Sequence, residues 1–133
     1  MQSLRVLIIE NEAIIALLFA EVLEEMGHVV CATETTEAGA IAAAVRLKPE
    51  LIITDVRLSE GSGIDAINVI LQSGFVPHVF VSGDMIDQNT INPAAGLLQK
   101  PFYEPQLVKA IEWALDPANI AIGKKHAADA RPT

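Results

Sequence analysis

Leu51-Ile52-Ile53-Thr54-Asp55 is a short run of strand-forming residues that ends on a carboxylate, and Val56-Arg57-Leu58-Ser59-Glu60-Gly61-Ser62-Gly63 then turns the chain. An Asp at the carboxyl end of an apolar strand, just ahead of a glycine-bearing loop, stands where open α/β sheets collect their chemistry. Asp also opens turns with no further role, and this stretch by itself leaves both readings open. The other strand ends decide between them.

Upstream, Leu4-Arg5-Val6-Leu7-Ile8-Ile9 is near-continuously apolar, as a strand buried on both faces should be. Glu10-Asn11-Glu12 ends it, with Asn11 suited to cap a helix that runs to about Met26 and stops at Gly27. Ile14, Ile15, Leu17, Leu18, Val22 and Met26 form its expected buried stripe, opposite Glu21, Glu24 and Glu25. His28 to Ala32 is a second strand. Thr35 or Thr36 can cap a second helix, which buries Ala38, Ile41, Ala42 and Val45 and ends at Lys48-Pro49.

Downstream of the Asp55 strand, Ile64, Ile67, Ile70 and Leu71 predict a third helix ending at Gly74. His78-Val79-Phe80-Val81-Ser82 is a fourth strand that delivers a hydroxyl just before Gly83. From Asp84 to Gly96 the pattern supports at best a short helix. Leu97 to Lys100 is a fifth strand; a helix then carries Pro105 in its first turn and Leu107, Ala110, Ile111, Ala114 and Leu115 at helical spacing. Residues 117–133 are small, polar and aperiodic and read as a flexible tail after a single domain over residues 1–116. Alternating strands and helices call for an α/β fold: a doubly wound five-stranded parallel sheet, order 2-1-3-4-5, with helices on both faces. In that order Glu10, Asn11, Asp55, Ser82 and Lys100 converge on one edge.

With 133 residues, half of them apolar and a formal charge of −8, the chain is globular and poorly suited to nucleic acid or an anionic membrane. No window approaches a membrane span, and Glu10 and Glu12 break the first apolar run before it could serve as a secretory signal. Cys31 is the only cysteine, so no internal disulfide forms, which fits a cytoplasmic protein. His28 and His78 open strands without the company that metal ligation needs and read as structural or edge residues, and His126 belongs to the tail.

Two acids, a hydroxyl and a lysine around one crevice suit a phosphoryl group. A carboxylate can attack phosphorus, Mg²⁺ accepts one or two carboxylates together with phosphate oxygens, and the lysine and hydroxyl meet the remaining oxygens. The segments Leu7-Ile8-Ile9-Glu10-Asn11-Glu12, Leu51-Ile52-Ile53-Thr54-Asp55, Phe80-Val81-Ser82-Gly83 and Gln99-Lys100-Pro101-Phe102 together resemble the receiver domain of two-component response regulators. The resemblance implies a flavodoxin-like fold and Asp55 as phosphoacceptor from a histidine kinase or phosphotransfer protein. It further implies Ser82 as switch hydroxyl, Lys100 as phosphate partner, and Mg²⁺ held by Glu10, Asn11, Asp55 and the backbone carbonyl of Arg57. The Lys100-Pro101 bond is expected to be cis.

Two positions depart from the family pattern. Asn11 stands where an acid usually ligates the metal; its amide oxygen can bind but brings no charge, so Mg²⁺ should be held weakly. Leu97 stands where a switch aromatic is common. The reading is therefore a stand-alone response regulator receiver in a phosphorelay, signalling through contacts with a downstream protein. The alternative is a pseudo-receiver that binds partners without phosphorylation. A turnover enzyme is not expected: Glu10-Asn11-Glu12-Ala13 has no dinucleotide glycines, and Arg57 occupies the position where an aspartyl phosphatase needs its second Asp. The final predicted helix, with Trp113 off its apolar stripe, offers a face for a homodimer.

Overall fold

A computed structural model describes residues 3–130. Five strands, β1 (Arg5–Ile9), β2 (Val29–Glu34), β3 (Leu51–Asp55), β4 (His78–Ser82) and β5 (Gly96–Gln99), form one sheet in the order β2-β1-β3-β4-β5, and every pair is parallel. The helices are α1 (Ala13–Glu25), α2 (Glu37–Leu47), α3 (Gly63–Ile70), α4 (Glu104–Leu115) and α5 (Pro117–Ala130). The architecture is the doubly wound one expected from the alternation of elements.

Because side chains alternate along a strand, the sheet sorts its apolar residues into two cores. Val6, Ile8, Leu51, Ile53, Val79 and Val81 face Phe19, Val22 and Leu23 of α1 and Leu107, Ala110 and Ile111 of α4. Leu7, Ile9, Ile52 and Phe80 face Ala40, Ala43 and Ala44 of α2 and Ala66, Ile67 and Ile70 of α3. Phe19 and Phe102 stack with their rings 5.9 Å apart, closing the first core beneath the loop that follows β5.

The helix faces differ from the expected ones. In α1 the buried residues are Ala16, Phe19, Val22 and Leu23, while Ile14 and Leu17 are 82% and 60% exposed. In α2, Ala40, Ala43 and Ala44 are buried, whereas Ala38, Ala42 and Val45 are exposed and Ile41 is half-buried. Both helices carry apolar residues around most of their circumference, and the sheet selects the side that packs closest: the small Ala residues of α2 and the large Phe19 of α1. Asn11 is not the cap of α1; Glu12 holds that position without a side-chain bond, because the Asn11 amide is engaged elsewhere. Thr36 does cap α2, accepting from Gly39 N at 3.0 Å.

Between β4 and β5 the described chain forms only a 3-10 turn, Gln88–Thr90. The larger difference is at the carboxyl end. Residues 117–130 of the expected tail form α5, while residues 131–133 lie outside the described residues. Pro117 opens the helix, and the Asp116 carboxylate accepts from Ala118 N at 2.8 Å. Gly123 is the reason α5 can dock. A Cβ there would sit 2.3 Å from the Phe75 ring and 2.9 Å from Ala94 Cβ, so only a glycine admits the approach. The buried Asn92 amide donates to Gly123 O at 3.1 Å and fixes the contact.

Candidate functional site at the carboxyl edge of the sheet

Register sets the geometry. Ile9 pairs with Thr54, so Glu10 leaves β1 beside Asp55; Asp55 pairs with Val81, one residue before Ser82; and Ser82 pairs with Gln99, one residue before Lys100. Four parallel strands therefore deliver Glu10, Asp55, Ser82 and Lys100 to one edge. Asp55, Ser82 and Lys100 line an open cavity of about 400 Å³ together with Asn11, Glu12, Arg57, Gly83 and Asp84, and Glu10 is buried next to it, 3.8 Å from Lys100 Nζ.

Asp55 is 5% exposed. Its Oδ2 receives Lys100 Nζ at 2.8 Å, and its Oδ1 accepts from Arg57 N at 3.1 Å. Lys100 is also within 3.8 Å of Glu10 Oε1 and 4.0 Å of Glu12 Oε1, so one ammonium serves three carboxylates. Burial opposes its charge, but the Asp55 hydrogen bond and the surrounding acids outweigh it and hold the Lys100 pKa above the usual lysine value. The Lys100-Pro101 bond is cis, as expected, and Lys100 N donates to Ser82 O at 2.8 Å.

Glu10 is almost completely buried, and its Oε1 has no hydrogen-bond partner. Burial pushes its pKa up to about 7, a backbone bond from Glu12 N to Oε2 pulls the other way, and the neighbouring Asp55 adds to the rise. A terminal atom of the Asn11 amide lies 3.1 Å from Glu10 Oε2 and 3.3 Å from Arg57 O. Both neighbours are acceptors, so that atom is the nitrogen, donating to each.

This donor set fits Mg²⁺. The Asn11 amide bridges Glu10 Oε2 and Arg57 O as a cation would, and the unpartnered Glu10 Oε1 and the Asp55 carboxylate, joined through Lys100, belong to the same cluster. Turning that amide brings its oxygen to the same place. Among the described residues no three His, Cys, Asp or Glu side chains form a metal-holding group. Two carboxylates completed by neutral oxygens are nonetheless what Mg²⁺ uses when a phosphate supplies the rest.

The Ser82 hydroxyl donates to Asp84 O at 2.8 Å and accepts from Asp84 N at 3.0 Å, a closed turn that keeps it off Asp55. The Arg57 guanidinium crosses the mouth of the cavity to Asp84 Oδ2 at 2.8 Å. This ion pair was not among the expected features of the site. The signal was available: a base stands two residues past Asp55 and an acid two residues past Ser82, on adjacent parallel strands. Behind the cavity the loop after β3 is tied to the start of α2. Ser59 N donates to Thr35 O, Glu37 N to Glu60 O, and Ser62 N to Glu37 Oε1. Gly63 must be a glycine here, since a Cβ would come 2.1 Å from Asp55 O.

His28 accepts from Leu4 N, and His78 is buried between Phe75 and Phe80, so both are structural, as expected. Leu97 and Trp113 are each 44% exposed and line a groove of about 820 Å³ between β5 and α4. No helix among the described residues is long and apolar enough to cross a membrane.

The chain is similar to several known proteins. The transcriptional regulatory protein PdtaR of Mycobacterium tuberculosis is 35% identical over 115 residues, covering 84% of this chain and 56% of that protein. The solution structure of the Erythrobacter litoralis PhyR response regulator REC domain superposes with a TM-score of 0.77 at 33% identity, covering 86% of this chain and 92% of that one. The crystal structure of the anti-anti-sigma factor PhyR from Bartonella quintana gives 0.68 at 31% identity, covering 98% and 52%. The chain thus spans about half the length of the first curated relatives it matches. Residues 6–112 match the response regulator receiver domain, and the chain belongs to that family.

Proposed function

We propose that this receiver takes a phosphoryl group on Asp55 from a phosphohistidine of a sensor kinase or phosphotransfer protein. A lone pair on the Asp55 carboxylate attacks phosphorus, the new P–O bond makes an acyl phosphate, the P–N bond breaks, and its electron pair leaves on the imidazole. The observation that carries this reading is the Lys100–Asp55 contact of 2.8 Å at the end of a buried strand, with Ser82 on the neighbouring strand. Lys100 fixes the carboxylate and meets charge that builds on the phosphoryl oxygens. Ser82 supplies a hydroxyl to the phosphorylated form once its turn with Asp84 opens.

Mg²⁺ would be held by Glu10, Asp55, the Arg57 carbonyl and the Asn11 amide oxygen, and when bound it supplies positive charge against the transferring group. The chain is then a signalling acceptor rather than a turnover enzyme, and its output is a contact with another protein. The exposed Ile14 and Leu17 on α1, the helix that follows Asn11 and Glu12, and the Leu97–Trp113 groove supply surfaces for the donor and for a downstream protein or second copy. The alternative, a pseudo-receiver, draws support from one observation: the Asn11 amide and the Ser82 hydroxyl are both already satisfied within the chain.

The test is intact-mass analysis with peptide mapping after incubation with an acyl-phosphate donor, across a Mg²⁺ titration, with Asp55→Ala as control. The expected result is a Mg²⁺-dependent phosphoryl adduct on Asp55 that the control lacks. No adduct at any metal level, from the small donor or from a histidine kinase, would establish the pseudo-receiver.

A further inference from the structure

Resting on the phosphoacceptor reading, we propose that Arg57 is a second phosphate-binding cation. Its guanidinium is parked on Asp84 in the unphosphorylated chain and transfers to the phosphoryl oxygens once Asp55 is modified.

Charge makes the case first. The cavity and its immediate surround carry Glu10, Glu12, Asp55 and Asp84 against two cations, Lys100 and Arg57. Lys100 is already shared among three acids. Phosphorylation replaces the single charge of Asp55 with about two negative charges and three strong acceptor oxygens. Asn11 adds nothing to offset them. Among the described residues the one other cation lining the cavity is Arg57, whose planar fork suits phosphate better than an ammonium does.

Position makes the case second. Arg57 N already donates to Asp55 Oδ1, so the backbone of this residue is fixed against the acceptor. That backbone cannot drift: an antiparallel bridge joins Arg57 to Ser62, whose N–H is held by Glu37. Only the side chain is free to move, and it is mostly exposed, so leaving Asp84 sacrifices a contact of the kind that contributes little. Asp84 would be left in solvent without penalty. Its two bonds to the Ser82 hydroxyl come from its backbone and do not depend on that carboxylate.

The partner exchange makes a prediction that a static clasp does not. If Arg57 and Asp84 only brace two loops, removing either side chain breaks the same bond and changes the adduct in the same direction. If Arg57 moves to the phosphoryl group, Asp84 is its competitor and the two removals act in opposite directions.

The experiment measures the rate of loss of the Asp55 adduct, by mass, for the unmodified chain, Arg57→Ala, Asp84→Ala and the double variant, at low and high salt. The affinity of each for beryllium fluoride, used as phosphoryl mimic, is measured alongside. Expected are a lifetime and mimic affinity reduced about three- to ten-fold in Arg57→Ala. Asp84→Ala should raise both by about two- to five-fold. The double variant should match Arg57→Ala, since a competitor cannot matter once its cation is gone. Asp84→Ala leaves the backbone bonds to Ser82 in place, so its effect reports the carboxylate. Shifts of the same sign in both single variants, or none in either, would overturn the exchange while leaving the acceptor reading intact. Absence of an adduct on the unmodified chain would instead remove the acceptor reading, and this inference with it.

Discussion

Replacing Glu10 by Gln should stabilise the metal-free protein at alkaline pH and do nothing at acid pH. A carboxyl that ionises near 4.5 in the unfolded chain and about 7 in the fold costs folding about 3 kcal/mol once both states are ionised. The sign follows from the raised pKa. Below about 4.5 the group is protonated in both states and costs nothing; between 4.5 and 7 the unfolded chain releases its proton more readily and stability falls; above 7 the whole cost is present. His78 works in the opposite sense. Burial lowers its pKa from 6.5 to about 4 against a bond to Val76 O, so its stabilisation is complete above 6.5 and about 3 kcal/mol is lost as pH falls toward 4. Over the shared window the two slopes nearly cancel, and the unmodified chain hides both. The Gln amide keeps the oxygen that Glu12 N uses. Urea unfolding in the absence of divalent metal should therefore show Glu10→Gln more stable by about 2 to 3 kcal/mol at pH 8 and unchanged at pH 4.5. It should also expose a rise in stability between pH 4 and 6.5 that belongs to His78. A Glu10→Gln variant no more stable than the unmodified chain at pH 8, or a difference that ignores pH, would refute the reasoning.

Other outcomes are open to direct measurement. Asn11→Asp should bind Mg²⁺ at least several-fold tighter, read as a larger rise in melting temperature at a fixed metal concentration; equal affinities would remove the role assigned to the missing charge. Gly123→Leu should lower stability by about 1 to 3 kcal/mol by forcing α5 off Phe75, with Ala121→Leu on the exposed side of the helix as a neutral control. A melt that leaves Gly123→Leu unchanged would mean that α5 contributes nothing to the fold. Glu37→Ala should cost about 1 kcal/mol and speed amide exchange at Ser62, whereas Glu37→Gln, which keeps an acceptor for that N–H, should do neither.

The sheet was legible because its strands are buried on both faces, so Val6 to Ile9, Leu51 to Ile53 and Val79 to Val81 stand out as unbroken apolar runs whatever surrounds them. The edge cluster was legible for the same reason: Glu10 and Ser82 follow such a run by one step and Asp55 by two, while Lys100 closes the shorter pair Leu97-Leu98. Helix faces were not. In α1 the apolar residues circle the axis, and nothing local says that Phe19 goes in while Ile14 stays out; Phe19 packs against the sheet and against Phe102, more than eighty positions away in the chain. Helix α5 was hidden more deeply, since its small residues give no stripe and its attachment rests on the absence of a side chain at Gly123. The Arg57–Asp84 pair went unseen because two charged residues in two loops look solvated until the register of β3 and β4 sets them side by side.

The tether between the loop after β3 and the start of α2 has a mechanical consequence. Thr35, Thr36 and Glu37 act as an anchor on one flank of the acceptor, while the other flank carries a single turn of 3-10 helix where a longer element would stiffen it. A load applied at Asp55 is therefore shared unequally: the anchored flank resists and the slack one yields. On the proposed reading, a phosphoryl group on Asp55 should displace the segment between β4 and β5 more than the start of α2.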